Sequence, residues 1–130
     1  MHKNFLVSGL LIAAISVVLG AFAAHSLKQI FSSEIIQIFE TAVKYQFYHA
    51  FALVVTGILF QTYPGKILQI AGNLFITGVL LFSGSLYALC FIKHAGINAL
   101  WVGAITPLGG LCFIAGWLLV AWAVAKNNNK

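Results

Sequence analysis

Arginine and aspartate are missing from this chain of 130 residues, and its only acids are Glu34 and Glu40. Charged residues make up 7% of it, where an ordinary soluble domain carries about a quarter. Hydrophobic residues make up 62%. A globule this small cannot bury so much apolar surface, because its surface-to-volume ratio is too high. Lipid is the remaining solvent. The length leaves room for one membrane domain, 1–130, and no second.

The seven lysines leave a net charge of +5. Nucleic-acid binding needs clustered cations. Here the lysines stand singly at 3, 28, 44, 66, 93, 126 and 130, mostly at the edges of apolar runs. That is the pattern of interfacial anchors, and it excludes nucleic acid as a partner. Cysteine is scarce as well. Cys90 and Cys112 lie inside apolar runs with no metal-site spacing, so both are read as packing residues. No HxxxH or HExxH spacing occurs among the histidines. The sequence therefore offers no catalytic residue, no metal site and no resident cofactor, and the expectation is a protein that is not an enzyme.

Four long apolar runs are present: 5–24, 46–63, 67–92 and 100–125. Each is near or above the roughly 20 residues with which a helix crosses the hydrocarbon core. A spanning barrel would show short alternating segments instead. Lys3, the first run and "AFA" at 21–23 resemble a signal peptide, but that apolar stretch reaches or exceeds the upper end of the usual range of about 7–15 residues. The first helix is expected to stay. "PGK" (64–66) and "KHAGINA" (93–99) are short links, which force neighbouring helices antiparallel. The longer link holds "SSEIIQIFETAVK", an amphipathic segment expected as an interfacial helix over 32–45, with Ser32 or Ser33 as its cap and Glu34 in its first turn. The fold expected is an all-α membrane protein, a four-transmembrane-helix antiparallel bundle with that interfacial helix between the first two spans. Four lysines against three on the opposite faces place both termini in the cytoplasm.

The stretch "FETAVKYQFYHA" (39–50) leads straight into the second run although half of it is polar. On a helix Glu40, Thr41, Lys44, Tyr45, Tyr48 and His49 fall within one half-circle, with Gln46 outside it. The expectation is a polar stripe at the membrane rim, turned toward the other helices, with Glu40 paired to Lys44 at the favourable four-residue spacing. His25, His49 and His94 are expected at that same rim. Two neutral histidines on facing helices can hold a haem iron, but hydrogen bonding to Glu40, tyrosines or carbonyls is the plainer reading. The candidate ligand-binding residues are His25, Glu40, Lys44, Tyr45, Gln46, Tyr48 and His49.

Small residues supply candidate packing faces: Ser16, Gly20 and Ala24 in the first span, Gly78 and Gly84 in the third, Gly109 and Gly110 in the fourth. In lipid such residues let backbones approach, and Asn73 and Thr77 are placed to add interhelical hydrogen bonds. Pro107 removes a hydrogen bond to residue 103 and should kink the fourth helix, with Thr106 close to the freed carbonyl.

Taken jointly, "GAFAAHSLK" (20–28), "FETAVKYQFYHA" (39–50), "LFSGSLYAL" (81–89) and "ITPLGGLCFIAGW" (105–117) resemble the YgdD-like family of small bacterial inner-membrane proteins. Ala24 and Ser26 flank His25 where that family often has glycine nearby, and Lys44 stands where arginine is common. The resemblance implies four helices in a bacterial inner (cell) membrane and no established activity or cofactor. Two functions lead, ahead of a third, an enzyme with Glu40 and His49 as acid and base, for which nothing identifies a nucleophile or substrate. One is a non-enzymatic structural or accessory subunit of a membrane complex, with the lipid bilayer, other membrane subunits or its own copies as partners. The other is a binding or transport module for a quinone, haem, lipid or ion at the polar stripe.

Overall fold

The computed structural model describes residues 1–98 and 100–127; Lys130, used in the charge count, and Ala99 lie outside that range. The described residues contain helices and turns and no strand. Five α-helices build four rods: α1 (Lys3–His25), α2 (Ser33–Leu59), α3 (Lys66–Gly78) continued by α4 (Gly84–His94), and α5 (Leu100–Asn127). A short 3-10 turn at Leu27–Gln29 follows α1. Three stretches are long and apolar enough to cross a membrane: Lys3–Gln29, Lys66–His94 and Leu100–Asn127. The second rod is not among them, because its stretch 37–49 carries Gln37, Glu40, Lys44, Gln46 and His49.

Residues 32–45 and 46–63 do not form two helices. Ser32 caps α2, its hydroxyl accepting from the Ile35 amide at 3.4 Å, and Glu34 sits in the first turn as expected. From there the helix runs 27 residues to Leu59 without interruption, since neither proline nor glycine occurs before Gly57. The polar composition of "KYQFYH" changes the solvent preference of the segment, not its backbone hydrogen bonding.

The packing contacts set the direction of each rod. Leu6 meets Gly57, Gly9 meets Val54, and Gly20 meets Val43, so α1 and α2 run antiparallel. Gly116 on α5 lies against Phe75, Gly78 against Phe113, and Gly109 against the Phe82 backbone, so α5 runs antiparallel to the third rod. α4 packs on α2 in the same sense, with Cys90 on the Ile35 carbonyl and Ser83 on the Ala42 carbonyl. Two apolar clusters fill the interior. Ala23, Leu27, Phe31, Ile35, Ile36, Phe39 and Cys90 make one, and Phe5, Ala52, Leu53, Phe75 and Phe113 make the other.

Between α3 and α4 the third rod widens into a π-helical turn, Val79–Ser83. One inserted residue advances the helical phase by about 100°. α3 therefore packs chiefly on α5, while α4 turns its buried face to α2. The rod ends in a Schellman cap: the Ile97 amide bonds to the Ile92 carbonyl and the Gly96 amide to Lys93. Gly96 has φ 74°, a conformation glycine adopts without steric cost.

Several packing assignments change. Ser16 is buried, with its hydroxyl donating to the Ile12 carbonyl, and Gly20 faces Val43, but Ala24 is exposed and Ala23 takes the buried position. Gly84 has open space around it and Gly110 only a loose neighbour, whereas Gly9, Gly57, Gly72 and Gly116 are the close approaches that join Gly78 and Gly109. Asn73 and Thr77 are exposed, and the interhelical bonds come from Ser83, Ser85 and Thr106 instead. The helix passes through Pro107 as one element, and the Thr106 hydroxyl is engaged by Ser85 Oγ at 2.6 Å.

Candidate functional site

Two polar side chains midway along α2 are buried: His49, from the stripe, and Gln46, which lies outside it. Three residues apart, they lie on one face of α2 and meet partners on three other helices. Gln46 Nε2 donates to the Ile12 carbonyl of α1 at 3.3 Å, and its Oε1 accepts from the Tyr87 hydroxyl of α4 at 2.6 Å. His49 Nδ1 lies 2.7 Å from the Tyr45 carbonyl, which can only accept, so this nitrogen carries the proton. Nε2 is then the acceptor, and Trp117 Nε1 of α5 donates to it at 3.1 Å. Both ring nitrogens of the neutral imidazole are occupied. Phe113 stacks on the ring at a centroid distance of 3.4 Å and an interplanar angle of 7°, and Phe75 and Tyr45 close two more sides.

A third polar link lies beside these two. The Ser85 hydroxyl bonds to the Phe82 carbonyl at 2.9 Å and to Thr106 at 2.6 Å. The Ser83 hydroxyl donates to the Ala42 carbonyl of α2 at 2.7 Å. These bonds gather around the π-helical turn, where the backbone departs from regular α geometry. Every buried side-chain nitrogen or oxygen among the described residues has a partner. Satisfied networks of this kind lock helices in register.

The remaining candidates stand apart. Glu40, Lys44, Tyr45 and Tyr48 are exposed, so the stripe points mainly outward and not toward the other helices. The inward face of α2 is Phe39, Ala42, Gln46, His49, Ala50 and Leu53. Glu40 does not pair with Lys44; the ion pair among the described residues is Lys93 with Glu34, at 2.9 Å. The three histidines do not share a rim. His94 packs tilted against Phe31, beside that ion pair, and His25 is exposed at the end of α1. His49 lies fifteen residues along α2 from Glu34, about 22 Å away by helical rise. No group of three or more His, Cys, Asp or Glu among the described residues is placed to hold a metal.

The Trp117 and Tyr87 partners were not legible as such in the sequence. Tyr87 stands out as an aromatic near the third run's end, but nothing in the spacing ties it to Gln46, 41 residues away.

A model of the family described as "Protein of unknown function (DUF423)" matches residues 19–110. The chain belongs to this DUF423 family. Its relatives include UPF0382 membrane proteins of Staphylococcus haemolyticus, 43% identical over 95% of this chain and 97% of the relative, and of Bacillus subtilis, 40% identical over 95% and 98%. A Haemophilus influenzae UPF0382 membrane protein is 34% identical over 99% of both chains. No solved structure matches. The DUF423 match runs from the second half of α1 to Gly110 and so includes Gln46, Tyr87 and Thr106. Its close full-length relatives are bacterial membrane proteins, in agreement with three apolar helices of membrane-crossing length.

Proposed function

We propose that this DUF423 protein is a four-span, multi-pass protein of the bacterial inner membrane that serves as a non-enzymatic accessory subunit. The YgdD-like resemblance implies the same four helices and inner-membrane location, and no activity. In this reading α2 crosses with the other three rods as an antiparallel bundle, its first turns at the interface and both termini in the cytoplasm. α2 supports this by its 27-residue length, about 40 Å of rise, and by packing on α1 along most of it. Even the polar residues it buries are paired.

The observation that carries the accessory role is the closure of the interior. His49, Gln46, Tyr87, Ser85 and Thr106 spend their hydrogen-bonding capacity on one another and on backbone carbonyls. The outer faces meanwhile present uncovered Leu10, Val18, Leu108, Ile114, Leu118 and Trp122 to the surroundings. Such a molecule offers its outside to lipid and to neighbouring helices. The haem or metal alternative loses its most buried histidine, because neither nitrogen of His49 is free.

Reporter fusions at each terminus and in the links 60–65 and 95–98 test the topology, and affinity purification in mild detergent tests the role. Cytoplasmic signals from the termini and the 60–65 link, with a stoichiometric membrane subunit co-purifying, are the expected results. An external terminus would overturn the topology. A pure preparation that retains a haem spectrum or a co-extracted quinone, with no protein partner, would overturn the accessory reading.

A further inference from the structure

α2 carries a polar face on the outside of the bundle. Gln37, Thr41, Lys44, Tyr48 and Phe51 are all exposed, at successive intervals of four, three, four and three residues, with exposed Glu40 alongside. That spacing marks one face of the helix, and it is not the apolar surface lipid requires. Depth makes the contrast sharp. Val43 touches Gly20, so Lys44 stands at the level of α1 where the exterior is Val17, Val18 and Phe22. It lies ten residues, about 15 Å of rise, from the Glu34–Lys93 pair. A helical side chain tilts toward the N-terminal end, which lets Lys44 snorkel part of that way. Tyr48, one turn deeper and 55% exposed, has no such route.

We infer that the α2 face is covered by α2 of a second copy of this chain, in a dimer whose two-fold axis lies along the membrane normal. The inference rests on the four-span reading above. Copies inserted the same way are related by such an axis, which sets their α2 helices parallel with equal residues at equal depth. The face is self-complementary in charge. It holds one acid and one base a single turn apart, so Glu40 of each copy comes within a turn of Lys44 of the partner subunit. Two ion pairs then replace four isolated charges, and the Tyr48 rings meet near the axis.

Cysteine cross-linking of the full chain in native membranes tests the dimer. Thr41→Cys and Tyr48→Cys are placed on the seam, Val18→Cys on α1 serves as control, and the unaltered chain, whose Cys90 is buried and Cys112 half-buried, sets the background. Mild oxidation is expected to give dimers of twice the chain mass at 41 and 48, at least tenfold above the control. Added to Thr41→Cys, Lys44→Glu should cut that yield several-fold, and Glu40→Lys with Lys44→Glu should restore it. An adduct of another mass would show that a different protein covers the face. No adduct, with the chain retained after an alkaline carbonate wash, would show that lipid covers it. Either result overturns the dimer and leaves the four-span reading standing. Release of the chain by the wash would overturn both.

Discussion

Tyr87 and Gln46 illustrate how a single hydroxyl decides whether a buried amide is tolerated. The amide oxygen of Gln46 has the Tyr87 hydroxyl as its side-chain partner, and the nitrogen reaches the Ile12 carbonyl. Tyr87→Phe removes the first bond while leaving the ring against Phe39. In membrane proteins such bonds average about 0.6 kcal/mol, so a loss of about 0.5–1.5 kcal/mol is expected in a reversible unfolding assay in detergent. Gln46→Leu together with Tyr87→Phe should cost less than the two separate losses combined, because neither partner is then left unpaired. His49 is the more demanding position. His49→Ala removes the acceptor of Trp117 and opens space against Phe113, for an expected loss of about 2 kcal/mol or more. Lys44→Ala in the dissociated monomer should stay within about 0.5 kcal/mol of the parent, since the side chain is exposed. Equal effects at 49 and 44 would contradict the burial described for them.

At the scale of helices, the close approaches occur where glycine faces an aromatic residue or backbone. A methyl group on Gly109 would run into the Phe82 main chain, which cannot swing aside as a side chain can. Gly109→Ala is therefore expected to destabilise by about 1–3 kcal/mol. Gly84→Ala and Gly103→Ala meet open space within helical segments and should be neutral or stabilising by up to about 1 kcal/mol. The contrast is measurable as opposite shifts of the thermal midpoint in one detergent. The rotation of α2 belongs to this scale too. Helical periodicity separates Glu40, Lys44 and Tyr48 from Phe39, Ala42 and Ala50, but it does not say which side faces in. α1 and α4 decide it, by offering Ile12 and Tyr87 to Gln46 and an apolar surface to Phe39.

For the whole molecule, the match between apolar exterior and lipid matters most. Ile114 is at the centre of α5 and 58% exposed. A lysine there has no partner in the bundle and far to snorkel, at a cost of roughly 3 kcal/mol on insertion scales. Ile114→Lys is expected to lower the fraction inserted in a membrane-integration assay by about a hundredfold in the equilibrium constant, whereas Asn127→Lys should leave it unchanged. Full insertion of the Ile114 variant would mean that this face of α5 meets water or a polar partner instead of lipid.

Composition and run length by themselves determined that the chain is helical and made for a membrane, because hydrocarbon demands long segments that satisfy their own backbone hydrogen bonds. Local residue types also marked a serine cap at 32 or 33, of which the structure uses Ser32, and the punctuation at 64–66 and 93–98, because these depend on neighbours only a few residues away. The tertiary structure alone decided that Gln46 and His49 point inward, that Lys93 and not Lys44 pairs with a glutamate, and that the third rod changes face at Val79–Ser83. Each of those outcomes depends on partners tens of residues distant, and a local pattern carries no information about which distant helix arrives at its surface.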